Sequence, residues 1–567
     1  MAAREMRGVA AAPGIVAGRL RQFGVTATVE PQPALTESRR TEESRQAAGA
    51  LEAAAVEVDQ LVAKMDAEGR GEEAEILATG AMMARDPQLA ASVEKAIMVE
   101  GLSAGAAISR AIDTYAATLA ALEDPLLASR AEDVRSIGRR AIRLATGAGP
   151  EVEGDSSEGT ILVAAELGPA DVADLETSVA GVALAGGGVT AHAAIVARSL
   201  GLPMVVGLGE GVLSLPTGEF VIVDGNRGVV EIDPGQADIE AAHEAAGRRA
   251  RERDHAVAER ELPPVTRDGH RVTVKGNASS AAEVRVALSY GAEGIGLLRT
   301  ELAFLEAEAW PTVDQHRRAL APVLAPLAGG TVTVRLLDFG GDKTPPFLAG
   351  TQQRGVQLLL GAPAALRDQL TAILEAGAGV DVRILVPMIT EPAQLEAVRR
   401  SLDECLAALG GDASNRAAPP LGAMVEVPAA ATMAPEISAA ADFLSIGTND
   451  LSQLQLGVDR SASQRAAANH PAVLRLIDMS VRAAADAGIG LSLCGESASD
   501  PMVMPLLIGL GVDELSVGAS RVGLVRRWVR DLDHAQARAT AGLALRCSSL
   551  EEVETLVAPV ARLLEAG

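Results

Sequence analysis

The chain has 567 residues, of which 50 are Lys or Arg and 75 are Asp or Glu, giving a formal charge of −25. That sign argues against nucleic acid and anionic lipid as partners, and an aromatic content of 2% leaves little from which to build stacking platforms for bases or sugar rings. At roughly 150 residues per domain the length predicts three or four units with movement between them.

The start, "MAAREMRGVAAAPGIVAGRL", has a basic residue and an apolar stretch, but Pro13-Gly14 and Arg19 interrupt it, so no signal peptide is expected. From about residue 36 to 146 the chain is rich in Ala, Glu, Arg and Leu. Leu51, Ala55, Val58, Val62 and Met65 fall at steps of three and four, one stripe of an amphipathic helix. Gly69-Arg70-Gly71, "MARDPQL" and "ALEDPLL" divide the stretch into an expected four helices. Its acidity would suit a basic protein partner.

Residues 159 to 231 change texture: the runs "TILVA", "GVALAG", "PMVVG" and "FVIVDG" are bounded by Gly and Pro and predict a small α/β domain. Within it lies "AGGGVTAHAAIVARSLGLPM". Glycines 186 to 188 allow a tight turn, and the helix after them presents its positive end, so a negative group carried on His192 would be stabilised there. A neutral imidazole is a competent nucleophile. With no Ser, Cys or second His beside it, the simplest chemistry is that His192 itself takes a phosphoryl group; the structural alternative is a histidine packed or capping at a helix start. Residues 234 to 262, polar and charge-rich, read as a connecting helix ending at a Pro pair.

Eight strand-like runs follow: "RVTVKGN", "GIGLLRT", "TVTVRLLDFGG", "VRILVPMIT", "LGAMVEVPA", "DFLSIGTND", "GLSLCGES" and "DELSV". Most are near-continuous apolar segments, as expected of parallel strands buried on both faces. A (β/α)8 barrel is the economical reading and an open doubly wound sheet the alternative.

Polar residues gather at the carboxyl ends of these runs: Asn277, Arg299, Arg335, Glu426, Asn449, Asp450 and Cys494. In a closed barrel all would face one mouth. Glu426 and Asp450, one βα unit apart, suit Mg²⁺ completed by substrate oxygens and water. Arg299 and Arg335 bring forked donors for phosphate and carboxylate oxygens, so the substrate should be small and multiply anionic. Arg460 in "LGVDRSAS" could approach the same ligand. Cys494 is either a small buried apolar residue or, at a strand end, a proton donor. Taken singly, each acid could be a cap and each Arg an ion-pairing residue. Cys405, Cys494 and Cys547 lie far apart without CxxC spacing, which predicts free thiols in a reducing cytoplasm. No run of about 18 apolar residues predicts a membrane span.

These stretches, with "GVAAAPGIVAG", "RAEDVRSIGRRAIR", "GIGLLRTE", "VRLLDFGGDK", "MVEVPAA", "SIGTNDLSQ", "HPAVLRLI" and "LCGE", resemble the enzyme I family of the phosphoenolpyruvate-dependent sugar phosphotransferase system, nearly end to end. The resemblance implies a multidomain α/β protein with a C-terminal (β/α)8 barrel and a swivelling N-terminal α/β phosphohistidine domain carrying an inserted helical bundle. It implies boundaries at 1–22 plus 148–232 for the histidine domain, 23–147 for a carrier-binding bundle, 233–262 for the linker and 263–567 for the barrel. His192 would take the phosphoryl group of phosphoenolpyruvate and pass it to the histidine carrier HPr. Glu426 and Asp450 would hold Mg²⁺; Arg299, Arg335, Asn449 and Arg460 would bind phosphoenolpyruvate; Cys494 would protonate the departing enolate; and barrels would pair in a homodimer. The chain departs from the family pattern in a shorter segment after Arg460, and at Leu454, Gln357 and Gly80. The alternatives are a regulatory paralogue that binds carrier or ligand without turnover, and a Mg²⁺-dependent lyase that uses the barrel alone.

Overall fold

The computed structural model describes residues 4–24, 36–67, 70–121, 130–148, 159–175, 179–188, 191–327, 329–340, 343–409, 417–458 and 467–566. The chain divides into two compact units, Met1–Ala250 and Arg251–Gly567.

The first unit is built on a mixed eight-stranded sheet. Its strands are β1 (Arg4–Arg7), β2 (Val9–Ala12), β3 (Ile15–Gln22), β4 (Thr160–Ala164), β5 (Val179–Leu184), β6 (Met204–Val206), β7 (Phe220–Asp224) and β8 (Val229–Ile232). They lie in the order β1-β8-β7-β3-β4-β5-β6-β2. β3 sits centrally, antiparallel to β7 and parallel to β4, so the segment before the helical region and the one after it share one sheet. All five residues of β4 are buried, the expected consequence of a β-branched run with covered faces.

Between β3 and β4 come α1 (Glu37–Ala67), α2 (Gly71–Ala84), α3 (Pro87–Met98), α4 (Ala104–Ala120) and the helix Arg130–Thr146. Among the described residues that makes five helices rather than four. The unforeseen break follows Met98: the chain turns at Gly101 in the left-handed region, with φ near 74°, and restarts after Ser103. The "RDP" break behaves as read: Asp86 caps α3 by accepting from the Gln88 N–H at 2.8 Å, ahead of Pro87. Of the α1 stripe, Leu51, Ala55, Val58 and Met65 are buried, and Val62 packs half-buried beside them. A long helix, Gln236–Ala258, follows β8.

The second unit is a closed barrel of eight parallel strands: β9 (Thr273–Ala278), β10 (Ile295–Arg299), β11 (Thr331–Arg335), β12 (Asp381–Val386), β13 (Leu421–Val425), β14 (Phe443–Ile446), β15 (Gly490–Leu493) and β16 (Glu514–Gly518). Five register pairs between β16 and β9 close it, which excludes the open sheet. Each of the eight runs supplies one strand.

Part of the interior depends on a missing side chain. A Cβ at Gly422 would stand 2.4–2.6 Å from the Phe443 ring, so the glycine makes room for the phenyl group inside the barrel. Among the described residues no helix is long and apolar enough to cross a membrane. We expect Gly422→Val to lower the unfolding free energy of the barrel by about 1–3 kcal/mol through overpacking, read from the denaturant midpoint of its transition; an unchanged midpoint would contradict this packing.

Candidate active site

The C-terminal ends of the barrel strands surround one open cavity of about 490 Å³, counting the solvent at its mouth. Arg299, Arg335, Glu426, Asn449, Asp450 and Cys494 all line it. Asn277, expected at the same mouth, does not. It is buried, donating through Nδ2 to the Cys494 carbonyl at 2.9 Å and accepting from the Ser516 hydroxyl at 2.6 Å, so it ties β9 to β16 and to the residue that follows β15. Arg460 lies outside the described residues.

The guanidinium of Arg335 organises this end of the barrel. Arg299 and Arg335 are register partners at the last positions of β10 and β11, and Arg335 is 4% exposed. It donates to Glu301 Oε1 at 2.5 Å and faces Asp338 Oδ2 at 3.3 Å. Burial alone would lower its pKa, but Glu301, Asp338 and Glu426 outweigh burial and hold it above the ordinary range. Lys343, which also lines the cavity, donates to the same Glu301 oxygen at 2.8 Å. These two cations outweigh burial at Glu301 and keep its carboxyl below the usual range. Behind them the Arg335 carbonyl accepts from Thr300 Oγ1 at 2.8 Å, and Gln369 bridges Thr300 to the Leu337 N–H. The loop ends are therefore held by bonded, buried groups.

Glu426 follows β13 directly and is fully buried. Its Oε1 accepts from the Met388 N–H at 2.7 Å, while Oε2 has no hydrogen-bond partner. Burial first, then the neighbouring carboxylate of Asp338, pushes its carboxyl well above the usual range, against the pull of Arg335. Asp450 lies in the first turn of the helix Thr448–Leu456 and accepts from Arg354 Nη2 at 2.9 Å. Gly447 lets that helix start close to β13, since a Cβ there would meet the Met424 Cε at 2.7 Å and the Glu426 Cβ at 2.9 Å. Asn449 Oδ1 accepts from the Glu496 N–H at 3.2 Å. Cys494 is buried, its sulfur accepting from Ser445 Oγ at 3.3 Å. Burial pushes the thiol up to about 11.

In the first unit, His192 is the first residue of the helix His192–Leu200. Ala193, Ala194, Val196 and Ala197 bury one face of this helix against the sheet core, and Gly201 ends it with φ near 68°. The ring is thus fixed at the positive end of the helix. Its Nδ1 lies 3.4 Å from Asp133 Oδ2, a buried carboxylate that also accepts from Arg130 at 3.0 Å.

Sequence reasoning did not assign Asp133, Glu301, Asp338, Lys343 or Arg354. Their signals were in view: Asp133 in "RAED", Glu301 beside Arg299 in "RTE", Asp338 and Lys343 in "LLDFGGDK", and Arg354 in "RGVQ".

Family models of phosphoenolpyruvate-utilising enzymes match the chain in three parts: the N-terminal domain at residues 7–130, the mobile domain at 156–228 and the phosphoenolpyruvate-binding domain at 253–534. The phosphoenolpyruvate-protein phosphotransferase of Streptomyces coelicolor is 36% identical over 565 residues, covering 97% of this chain and 98% of the relative. The chain belongs to the phosphoenolpyruvate-protein phosphotransferase family. A multiphosphoryl transfer protein of Rhodobacter capsulatus is 40% identical over 487 residues, 83% of this chain. The match takes in 58% of that relative, and 56% of a second multiphosphoryl transfer protein, from Xanthomonas campestris; the chain therefore spans little more than half the length of these two. An enzyme I solution structure, 34% identical, covers 43% of this chain with a TM-score of 0.34.

The family's barrel here encloses a thiol that should be chemically quiet. Burial pushes its pKa up to about 11, which keeps the Cys494 thiol protonated near neutral pH, and Cys405 is also buried, whereas Cys547 is half-buried. Iodoacetamide should therefore label Cys547 well before Cys494, as read by peptide mass spectrometry; early labelling of Cys494 would contradict this environment.

Proposed function

We propose that the protein transfers the phosphoryl group of phosphoenolpyruvate to His192 and onward to the histidine carrier HPr, the first step of sugar uptake by the phosphotransferase system. The observation that carries this reading is the single cavity in which Arg299, Arg335, Lys343, Glu426, Asp450 and Cys494 meet. It suits a small, multiply anionic substrate that must lose a phosphoryl group and gain a proton on carbon.

Arg299 and Arg335 would bind the phosphate and carboxylate oxygens as forked donors, with Arg460 and Asn449 as further contacts. Lys343 sits within reach of the same anion. Glu301 and Asp338 would hold the Arg335 guanidinium in place, so little reorganisation is needed when substrate arrives.

Glu426 and Asp450 would hold Mg²⁺. Among the described residues no group of three or more His, Cys, Asp or Glu is placed to hold a metal ion, so these two carboxylates would need waters and substrate oxygens as the ion's other ligands. The fit is supported by Glu426 Oε2, buried and without a hydrogen-bond partner, at a position where carboxylates crowd one another. When bound, the ion supplies charge neutralisation on the transferring phosphoryl group.

At His192, an Nδ1 proton shared toward Asp133 would put the lone pair on Nε2, which attacks phosphorus in line with the enolate oxygen. The helix N-terminus would favour the phosphorylated ring. Cys494 would protonate C3 of the enolate to give pyruvate. His192 and the cavity belong to different units, so transfer would bring one unit to the other, with residues 233–262 as the proposed linker. Residues 1–22 and 148–232 would then form the mobile phosphohistidine domain, 23–147 the carrier-docking bundle and 263–567 the substrate barrel. A cytoplasmic homodimer joined through its barrels completes the proposal, the location supported by three free thiols.

Incubation with labelled phosphoenolpyruvate and Mg²⁺ should yield an acid-labile, base-stable phosphoprotein, and His192→Ala should abolish the label. Labelling that survives His192→Ala would refute the assignment; binding of phosphoenolpyruvate without labelling of the wild type would favour a regulatory role.

A further inference from the structure

The interior of a (β/α)8 barrel is ordinarily filled by branched apolar side chains. Here one wall obeys that rule: Leu297, Leu385, Met424 and Phe443 cluster with Cys494. The side carried by β15, β16 and β9, together with Ser445 of β14, is polar instead, with Ser445, Ser492, Ser516 and Lys275 all buried. A buried hydroxyl without a partner is costly, so the polar wall has to be bonded internally.

Ser445 and Ser492 are register partners across β14 and β15. Ser492 Oγ donates to Ser445 Oγ at 3.0 Å, and Ser445 Oγ donates to Cys494 Sγ at 3.3 Å. In these two bonds each hydroxyl hydrogen points toward sulfur; the Ser492 hydroxyl also faces the Leu444 carbonyl at the longer distance of 3.5 Å. Ser492 is also the register partner of Glu514 across β15 and β16. Glu514 begins β16, at the end of the barrel away from the cavity; its side chain is 20% exposed and lies 2.9 Å from Lys275 Nζ.

We propose that Ser445 and Ser492 form a proton relay through the barrel interior, returning a proton to Cys494 from solvent at the Glu514–Lys275 end. The inference rests on Cys494 being the acid that protonates the enolate. As the C3–H bond forms, the S–H bond breaks and leaves a thiolate. In one concerted shift the Ser445 hydroxyl proton moves to sulfur, the Ser492 proton moves to the Ser445 oxygen, and Ser492 takes a proton from hydronium or buffer acid arriving beside Glu514, so neither serine is left as an alkoxide and the conjugate base returns to solvent. One solvent proton enters for each proton placed on carbon. A thiol with a pKa near 11 leaves a strongly basic thiolate that takes up this proton readily.

The test compares two rates in the full-length protein: exchange of the pyruvate C3 hydrogens with D₂O, followed by NMR with Mg²⁺ and inorganic phosphate, and single-turnover phosphorylation of His192 by phosphoenolpyruvate. Ser492→Ala should lower the ratio of exchange to phosphorylation by roughly tenfold, because an abstracted proton returns to carbon before solvent replaces it. Ser492→Thr keeps the hydroxyl and should restore most of the ratio. An unchanged ratio in Ser492→Ala, or no exchange in the wild type, would overturn the relay. Cys494→Ala separates the two readings: exchange that persists there overturns Cys494 as the acid, whereas exchange lost there with an unchanged Ser492→Ala ratio overturns the relay alone.

Discussion

A guanidinium buried to 4% exposure has to be surrounded by acceptors, and the mouth of this barrel is arranged around that demand at Arg335. Desolvating a charge costs several kcal/mol unless partners replace the water. Glu301 and Asp338 provide that replacement. Each carboxylate is itself buried and requires further cations, which brings in Lys343 beside Glu301 and Arg354 beside Asp338 and Asp450. The outcome is an alternating set of fixed charges at the strand ends. Such a set is a preorganised environment for an anion whose charge redistributes during reaction.

The same logic runs through the first unit at its junction of sheet and helices. The helix Arg130–Thr146 meets the α/β part through Arg139 to Asp171 at 2.5 Å and Arg140 to Asp174 at 3.0 Å. It meets α1 through Arg140 and Arg143, both paired with Glu57. Asp133 lies on this helix, so the contacts that lock the inserted helices to the sheet also place a carboxylate against His192. Scaffold and site share one interface.

The barrel interior separates two tasks. Its apolar side supplies packing, with Phe443 filling the space above Gly422. Its polar side carries the hydroxyls of Ser492 and Ser445, bonded in sequence to the Cys494 sulfur. A barrel filled only for stability would not need the second side.

Much of this could be read from the chain directly. Eight near-continuous apolar runs determine eight buried parallel strands, because a strand covered on both faces has no polar positions to alternate with. Polar residues placed just after those runs determine a common mouth once the barrel closes, which is why Arg299, Arg335, Glu426, Asn449, Asp450 and Cys494 were legible as a group. Residues whose role depends on a partner distant in sequence were not. Asp133 is far from His192 in the chain, and nothing in "RAED" specifies which ring it will face. Asn277 ends a run as the others do, yet its amide is taken up by the Cys494 carbonyl and the Ser516 hydroxyl, so it is not among the residues that line the cavity. Local pattern determines which residues end strands and start helices, because propensity and periodicity act over a few neighbours. Only the tertiary structure decides which of those ends touch, because register, shear and helix docking come from packing distant segments together.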